Sequence, residues 1–142
     1  MAKGYKKILI VYRNSPKFLR QSFQLAKEEG TWAVVLKPVP SYEGELHLTG
    51  VKNLDELLQG YTIKELKEIK DLAEKERVLV KIRIEEIERE EEILDIAIEE
   101  NCDLIVVEPK KPSLFERLFS LRDRLLELLV TQSPCPVFII RS

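Results

Sequence analysis

The order strand, helix, strand is legible within the first forty residues, and that order demands a parallel sheet. Lys7-Ile8-Leu9-Ile10-Val11-Tyr12 is a short, β-branched apolar run, as expected of a strand buried on both faces. Ser15-Pro16 follows as a helix start, with Ser15 as N-cap and Pro16 at the first helical position. Phe18, Ser22, Leu25, Ala26 and Glu29 then fall on one helical stripe, apolar at its centre, and Gly30 supplies the stop. A second strand reads Trp32-Ala33-Val34-Val35-Leu36-Lys37-Pro38-Val39. Two strands joined through a helix in this way lie parallel, with a right-handed crossover.

The remainder of the chain extends the alternation. Residues 40–60 are the least regular part, with Asn53 placed to cap a short helix through Leu54–Gln59 that Gly60 closes. Thr62 and Glu65 have the spacing of a capping box that opens a further helix through about Glu76. Arg77 to Ile84 alternates charged and apolar residues, which suits a strand with one exposed face near a sheet edge. The acidic run Glu85 to Glu92 precedes Ile93, Leu94, Ala97 and Ile98, and its carboxylates favour the positive end of a helix there. Asp103-Leu104-Ile105-Val106-Val107 is a fourth, buried strand. Ser113 and Glu116 form another capping box, ahead of a leucine stripe through Leu129 that is core packing. Val137-Phe138-Ile139-Ile140 is the last strand. The expected fold class is α/β: one doubly wound domain over residues 1–142, with a five-stranded parallel sheet flanked by helices on both faces.

Composition narrows the function classes. Charged residues make up 34% of the chain and the formal net charge is −2, so the basic footprint of a nucleic-acid binder is missing. No segment reaches the roughly 18 apolar residues of a membrane span, and a cytoplasmic location is expected. Cys102 and Cys135 stand apart rather than in a CxxC pair, and are expected to pack as buried thiols. His47 is the single histidine and no ligand spacing surrounds it, so no metal site is expected. Glu and Lys are plentiful while Asn and Gln are scarce, a bias shared by thermophilic proteins. No GxSxG elbow, P-loop or HExxH motif is present, and no catalytic residue is assigned.

Several segments together resemble the universal stress protein family, also described as UspA-like or adenine nucleotide alpha hydrolase-like domains. KILI leads to a helix at NSP, and the second strand ends in VP. EEILDIAIEENCDLIVVE is similar to the family's helix and fourth strand, and SPCPVFIIR to its approach to the last strand. The resemblance covers nearly the whole chain. It implies a doubly wound fold, a role in stress response or regulation, and a homodimer formed through the last strand. Val137, Phe138, Ile139 and Ile140 are then the candidate interface, an apolar edge that needs pairing or covering.

Ligands of open parallel sheets bind beyond the carboxyl ends of the strands, where strand order reverses. The loops there offer Arg13, Asn14, Val39, Glu108, Lys110, Lys111 and Ser113 as candidate ligand-binding residues. Nucleotide-binding members of the family carry an Asp after the first strand, where this chain has Arg13. Their motif of Gly, two residues, Gly, nine residues, Gly and Ser or Thr falls here on Glu108, Lys111, Leu121 or Asp123, and Arg122 or Arg124. No glycine follows Gly60. Glycine permits the close backbone approach and positive φ that a phosphate-cradling loop commonly uses, and Pro109 and Pro112 remove two amide donors. The leading expectation is therefore an interaction module with unknown protein partners and no cofactor. The alternative is a nucleotide-binding switch or weak ATPase that holds ATP, ADP or AMP with Mg through Arg13, Lys110 and Lys111. A third reading is an RNA or phospho-ligand binder on the same basic cluster, weakened steeply by salt.

Overall fold

Strand β1 (Lys7–Val11) lies at the centre of the sheet, and its side chains from Ile8 to Val11 are wholly withdrawn from solvent. The coordinates are a computed structural model that describes residues 5–13, 15–39, 54–109 and 124–140. After β1 come α1 (Pro16–Glu29), β2 (Trp32–Val39), α2 (Leu54–Glu76), β3 (Val80–Glu86), α3 (Glu91–Glu99), β4 (Leu104–Val107), α4 (Arg124–Gln132) and β5 (Val137–Ile139). The strands stand in the order β3-β2-β1-β4-β5, and every neighbouring pair is parallel. The expected five-stranded, doubly wound α/β sheet is thus the observed one.

Strand alternation sorts the core into two layers. Ile8, Ile10, Ala33, Val35 and Val106 face α1 and α2, meeting Phe18, Phe23 and Ala26 of α1 and Ile69 and Ala73 of α2. Leu9, Val11, Val34, Leu36 and Ile105 face the opposite way, onto Ile93, Leu94 and Ala97 of α3 and Leu125 and Leu129 of α4. Asp103 sets the register at the amino end. Its carboxylate accepts from the amides of Lys6 (2.9 Å) and Lys7 (3.1 Å), while its own amide donates to the Lys7 carbonyl (3.0 Å).

Helix α1 begins as expected, with the Ser15 hydroxyl accepting from the Phe18 amide and Pro16 in the first turn. Gly30 ends it in the left-handed conformation, φ 65°. The expected pair of helices across residues 54–76 is instead one helix, α2, running through Gly60. A glycine costs about 1 kcal/mol inside a helix, which the packing of Ile69 and Ala73 on the sheet outweighs. Nor is Glu65 the far half of a capping box, because it lies inside α2 and turns inward toward Lys37. Arg77 does not start β3. It takes the left-handed position that closes α2 (φ 58°), its amide donating to Glu74 O and that of Val78 to Ala73 O. Glu85 and Glu86 belong to β3, so the helix-opening carboxylate is that of Glu92, which accepts from the amides of Glu88 (2.7 Å) and Arg89 (3.0 Å). Those bonds to the charged form hold the Glu92 pKa below its ordinary value. The second capping box, Ser113 with Glu116, lies outside the described residues.

β3 is an edge strand, as its alternation implied. Val80 and Ile82 pack on the α2 layer, while Lys81, Arg83 and Glu85 occupy its other face. The charges converge on Glu100, just beyond α3 and 5% exposed. Its carboxylate receives Lys7 Nζ at 3.2 Å, Lys81 Nζ at 2.7 Å and Arg83 Nη1 at 2.8 Å. Lys7 also lies over the Trp32 ring, 4.5 Å from its centroid. Chiefly through Lys81, and then Lys7 and Arg83, the Glu100 pKa falls from 4.5 to about 2 against the opposing effect of burial. A carboxyl whose pKa is depressed on folding contributes fully above its unfolded value and loses that contribution as pH falls through the folded one. Glu100→Gln should therefore cost about 2 kcal/mol at neutral pH in denaturant titrations. The difference from wild type should shrink between pH 4.5 and about 2.

Candidate functional site

Strand order reverses between β1 and β4, and in open parallel sheets ligands bind beyond the carboxyl ends at such a reversal. Val11 and Val107 are register partners, which brings Tyr12 and Arg13 at the end of β1 beside Glu108 at the end of β4. Val39 ends β2 on the other flank of β1 and is paired with Glu86 of β3. Of the candidates named from sequence, Arg13 and Glu108 thus share one end of two adjacent strands. Asn14, Lys110, Lys111 and Ser113 lie outside the described residues, as do Leu121, Arg122 and Asp123, while Arg124 opens α4.

The centre of this edge is held by a residue that loop-by-loop reading passed over. Lys37, in β2, is 7% exposed, and its ammonium donates to the Arg13 carbonyl. It also meets Glu65 of α2 at 3.9 Å and stands over the Tyr12 ring, 5.2 Å from the centroid. Tyr12 itself stays in the ladder, its amide donating to Leu36 O at 2.8 Å. One lysine therefore ties together β1, β2 and α2. Two sequence signals could have found it. Lys37 is the single charge in the apolar run of β2, and Glu65 falls on the same helical stripe as Ile69 and Ala73.

Three carboxylates act on Tyr12. Burial is the main cause that raises the Tyr12 phenol above 10.0, and Glu65, Glu68 and Glu108 each add to the rise. Glu108 is 7% exposed, so its carboxylate sits at the strand end with little water to screen it. The helix that follows β1 has no acidic residue in its first turn and carries Lys17 there. Its first amides still point their positive end toward the crevice. The edge combines one internal lysine, several carboxylates and Arg13.

Among the described residues no group of His, Cys, Asp and Glu is arranged to hold a metal ion. Among them too, no helix is long and apolar enough to cross a membrane. Cys102 and Cys135 are half-buried, which corrects the expectation of full burial; each lies in a connection just ahead of a strand.

An all-parallel sheet in this order, covered on both faces, defines a doubly wound α/β domain with its crevice at the β1–β4 reversal. The chain belongs to the universal stress protein family, whose model matches residues 4–141. Solved structures are similar in fold. A universal stress protein from Archaeoglobus fulgidus in complex with dAMP is 16% identical, with a TM-score of 0.63 and 99% of each chain covered. A family member from Burkholderia pseudomallei is 20% identical, with a TM-score of 0.68 and 97% of each chain covered. A universal stress protein in complex with cAMP is 15% identical, with a TM-score of 0.69, covering 96% of this chain and 97% of its own. No curated protein matches in sequence.

The lysine tie makes a measurable claim about coupling. Lys37→Met keeps the length of the side chain but leaves Glu65 without its cation, and should cost about 2 kcal/mol in denaturant unfolding. Adding Glu65→Leu should recover about 1 kcal/mol or more of that loss, as expected of interacting partners. Strictly additive losses in the double-mutant cycle would mean that the two charges do not cooperate.

Proposed function

We propose that this member of the universal stress protein family is a cytoplasmic stress-response or regulatory module. It works by protein interaction, as a homodimer, and does not hold ATP tightly or turn it over. The observation that carries this reading is the state of the strand-end crevice. Lys37 is committed to the protein's own Arg13 carbonyl and to Glu65, and buried Glu108 ends β4. A nucleotide phosphate arriving there brings further negative charge into a field already shaped by Glu65, Glu68 and Glu108. The missing glycines remove the backbone freedom that a phosphate loop commonly uses.

The homodimer reading rests on the contrast between the two sheet edges. β3 carries Lys81, Arg83 and Glu85, the charges that discourage edge pairing. β5 pairs with β4 on one side and leaves Phe138 48% and Ile139 41% exposed, with Val130 of α4 67% exposed. An apolar edge strand of this kind gains by pairing with a second copy. Val137 and Ile140 are half-buried at the two ends of the same patch.

A second reading is favoured by the two similar structures that hold dAMP and cAMP. It is a nucleotide-binding switch or weak ATPase in which Arg13, Lys110 and Lys111 replace the glycines, with Mg as counter-ion.

Two measurements separate these readings. Calorimetric titration with ATP, ADP and AMP, with and without Mg²⁺, should show no micromolar binding. Micromolar affinity abolished by Lys111→Glu would establish the second reading instead. Sedimentation at high micromolar concentration should give a dimer that Phe138→Glu converts to monomer. A wild-type monomer under those conditions removes the interface from the proposal.

A further inference from the structure

The two cysteines, distant in sequence, are brought together by the β4–β5 pairing. Ile105 and Val137 are register partners, and the Ile105 amide donates to the Pro136 carbonyl at 3.0 Å. Continued two residues back, beyond the paired residues, the same register would set Asp103 beside Cys135, with Cys102 next in line. Adjacent parallel strands lie about 4.8 Å apart, which puts the two cysteine Cα atoms roughly 6 Å from each other. That is inside the range of about 4.4–6.8 Å that a disulfide spans. Both side chains pack against the same core layer, the one that includes Leu9, Ile105 and Leu129, and each cysteine is half-buried.

From this placement we infer that Cys102 and Cys135 are a dithiol pair that closes to an intrachain disulfide and fastens β5 to β4. β5 is three residues long and lies at the edge of the sheet, so it is the strand with most to gain from a covalent tie. The bond would close the chain segment between residues 102 and 135 and remove its freedom from the unfolded state.

The order of events follows from the surroundings of each sulfur. Burial holds the Cys102 thiol up at about 11, so this sulfur is quiet while β5 is seated. Burial raises Cys135 as well, but Ser133 opposes the rise; its hydroxyl accepts from the Cys135 amide at 3.3 Å and donates to the Cys135 carbonyl at 2.6 Å. Cys135 is therefore the thiol that attacks first. Its thiolate displaces one thiol from an oxidised low-molecular-weight disulfide and forms a mixed disulfide. Cys102 then loses its proton to solvent, attacks the Cys135 sulfur and expels the second thiol. The two protein thiols are oxidised as one small disulfide is reduced to two thiols.

The test uses the full chain and glutathione disulfide at mildly alkaline pH, followed by intact mass and thermal unfolding. The expected product is a single chain lacking two hydrogen atoms, with no glutathione attached. Its unfolding midpoint should rise by roughly 5–10 °C and return when reductant is added. Cys102→Ala should stop at the glutathione adduct on Cys135. Where the folded wild type is inert, refolding from denaturant in the same reagent should yield the closed form. A persisting adduct on wild type, a cross-link between chains, or two free thiols after that refolding would overturn the inference.

Discussion

From Ile8 to Val11, four successive side chains of β1 have no contact with water on either face of the sheet. Each contributes roughly 1.5–3 kcal/mol when fully buried, but only if apolar partners cover both sides. The two-layer architecture follows from that demand. α1 and α2 cover one face while α3 and α4 cover the other. β1 cannot satisfy its backbone through water, so β2 and β4 must flank it in fixed register. Asp103 completes the requirement at the amino end by taking up the amides of Lys6 and Lys7. The reversal of strand order, and with it the crevice, is a consequence of placing this strand in the middle.

The charged residues occupy what the apolar core leaves over, and they do so differently at the two ends of the sheet. Toward the amino end, Glu100 gathers Lys7, Lys81 and Arg83 across the α3 face and converts the edge at β3 into a polar, self-satisfied surface. At the carboxyl end, among the described residues, the ammonium of Lys37 joins the Arg13 carbonyl, the Tyr12 ring and Glu65. A buried cation is held in place by its partners because leaving it unpaired is costly. This end of β1 is consequently stiffened by the protein itself, at the place where a doubly wound fold ordinarily meets its ligand.

Most of the architecture was legible in the sequence, and the exceptions have physical causes. The runs in β1, β2 and β4 are apolar because those strands are buried on two faces, and the alternation before Glu86 marks an edge strand. Gly60 was misleading because local preference read it as a stop, whereas the tertiary contacts of Ile69 and Ala73 carry α2 straight through. Arg77 misled in the opposite sense, since nothing in its type announces a left-handed helix end. For the site, the loop residues Arg13 and Glu108 could be named, because strand ends follow from the topology. The Lys37–Glu65–Tyr12 contacts could not, because they join a strand to a helix about thirty residues away. Only the sign was visible: a lone lysine inside an apolar strand, and a glutamate on an apolar stripe.

Membership in the universal stress protein family and the identity of the ligand are therefore separable questions in this chain. The family is carried by the core, whose demands are met by many apolar sequences, and similar folds persist at 15–20% identity. Ligand chemistry is carried by a few groups at one edge, where a single exchange of charge changes what can approach. At that edge this chain has Arg13, buried Glu108 and the internally committed Lys37. Glu108 is one of the carboxylates that raise the Tyr12 phenol, whereas Lys37 ties β2 to the end of β1 and to α2. The sheet and the chemistry at its carboxyl edge are thus set by different residues, so that a fold can be kept while the groups at that edge change.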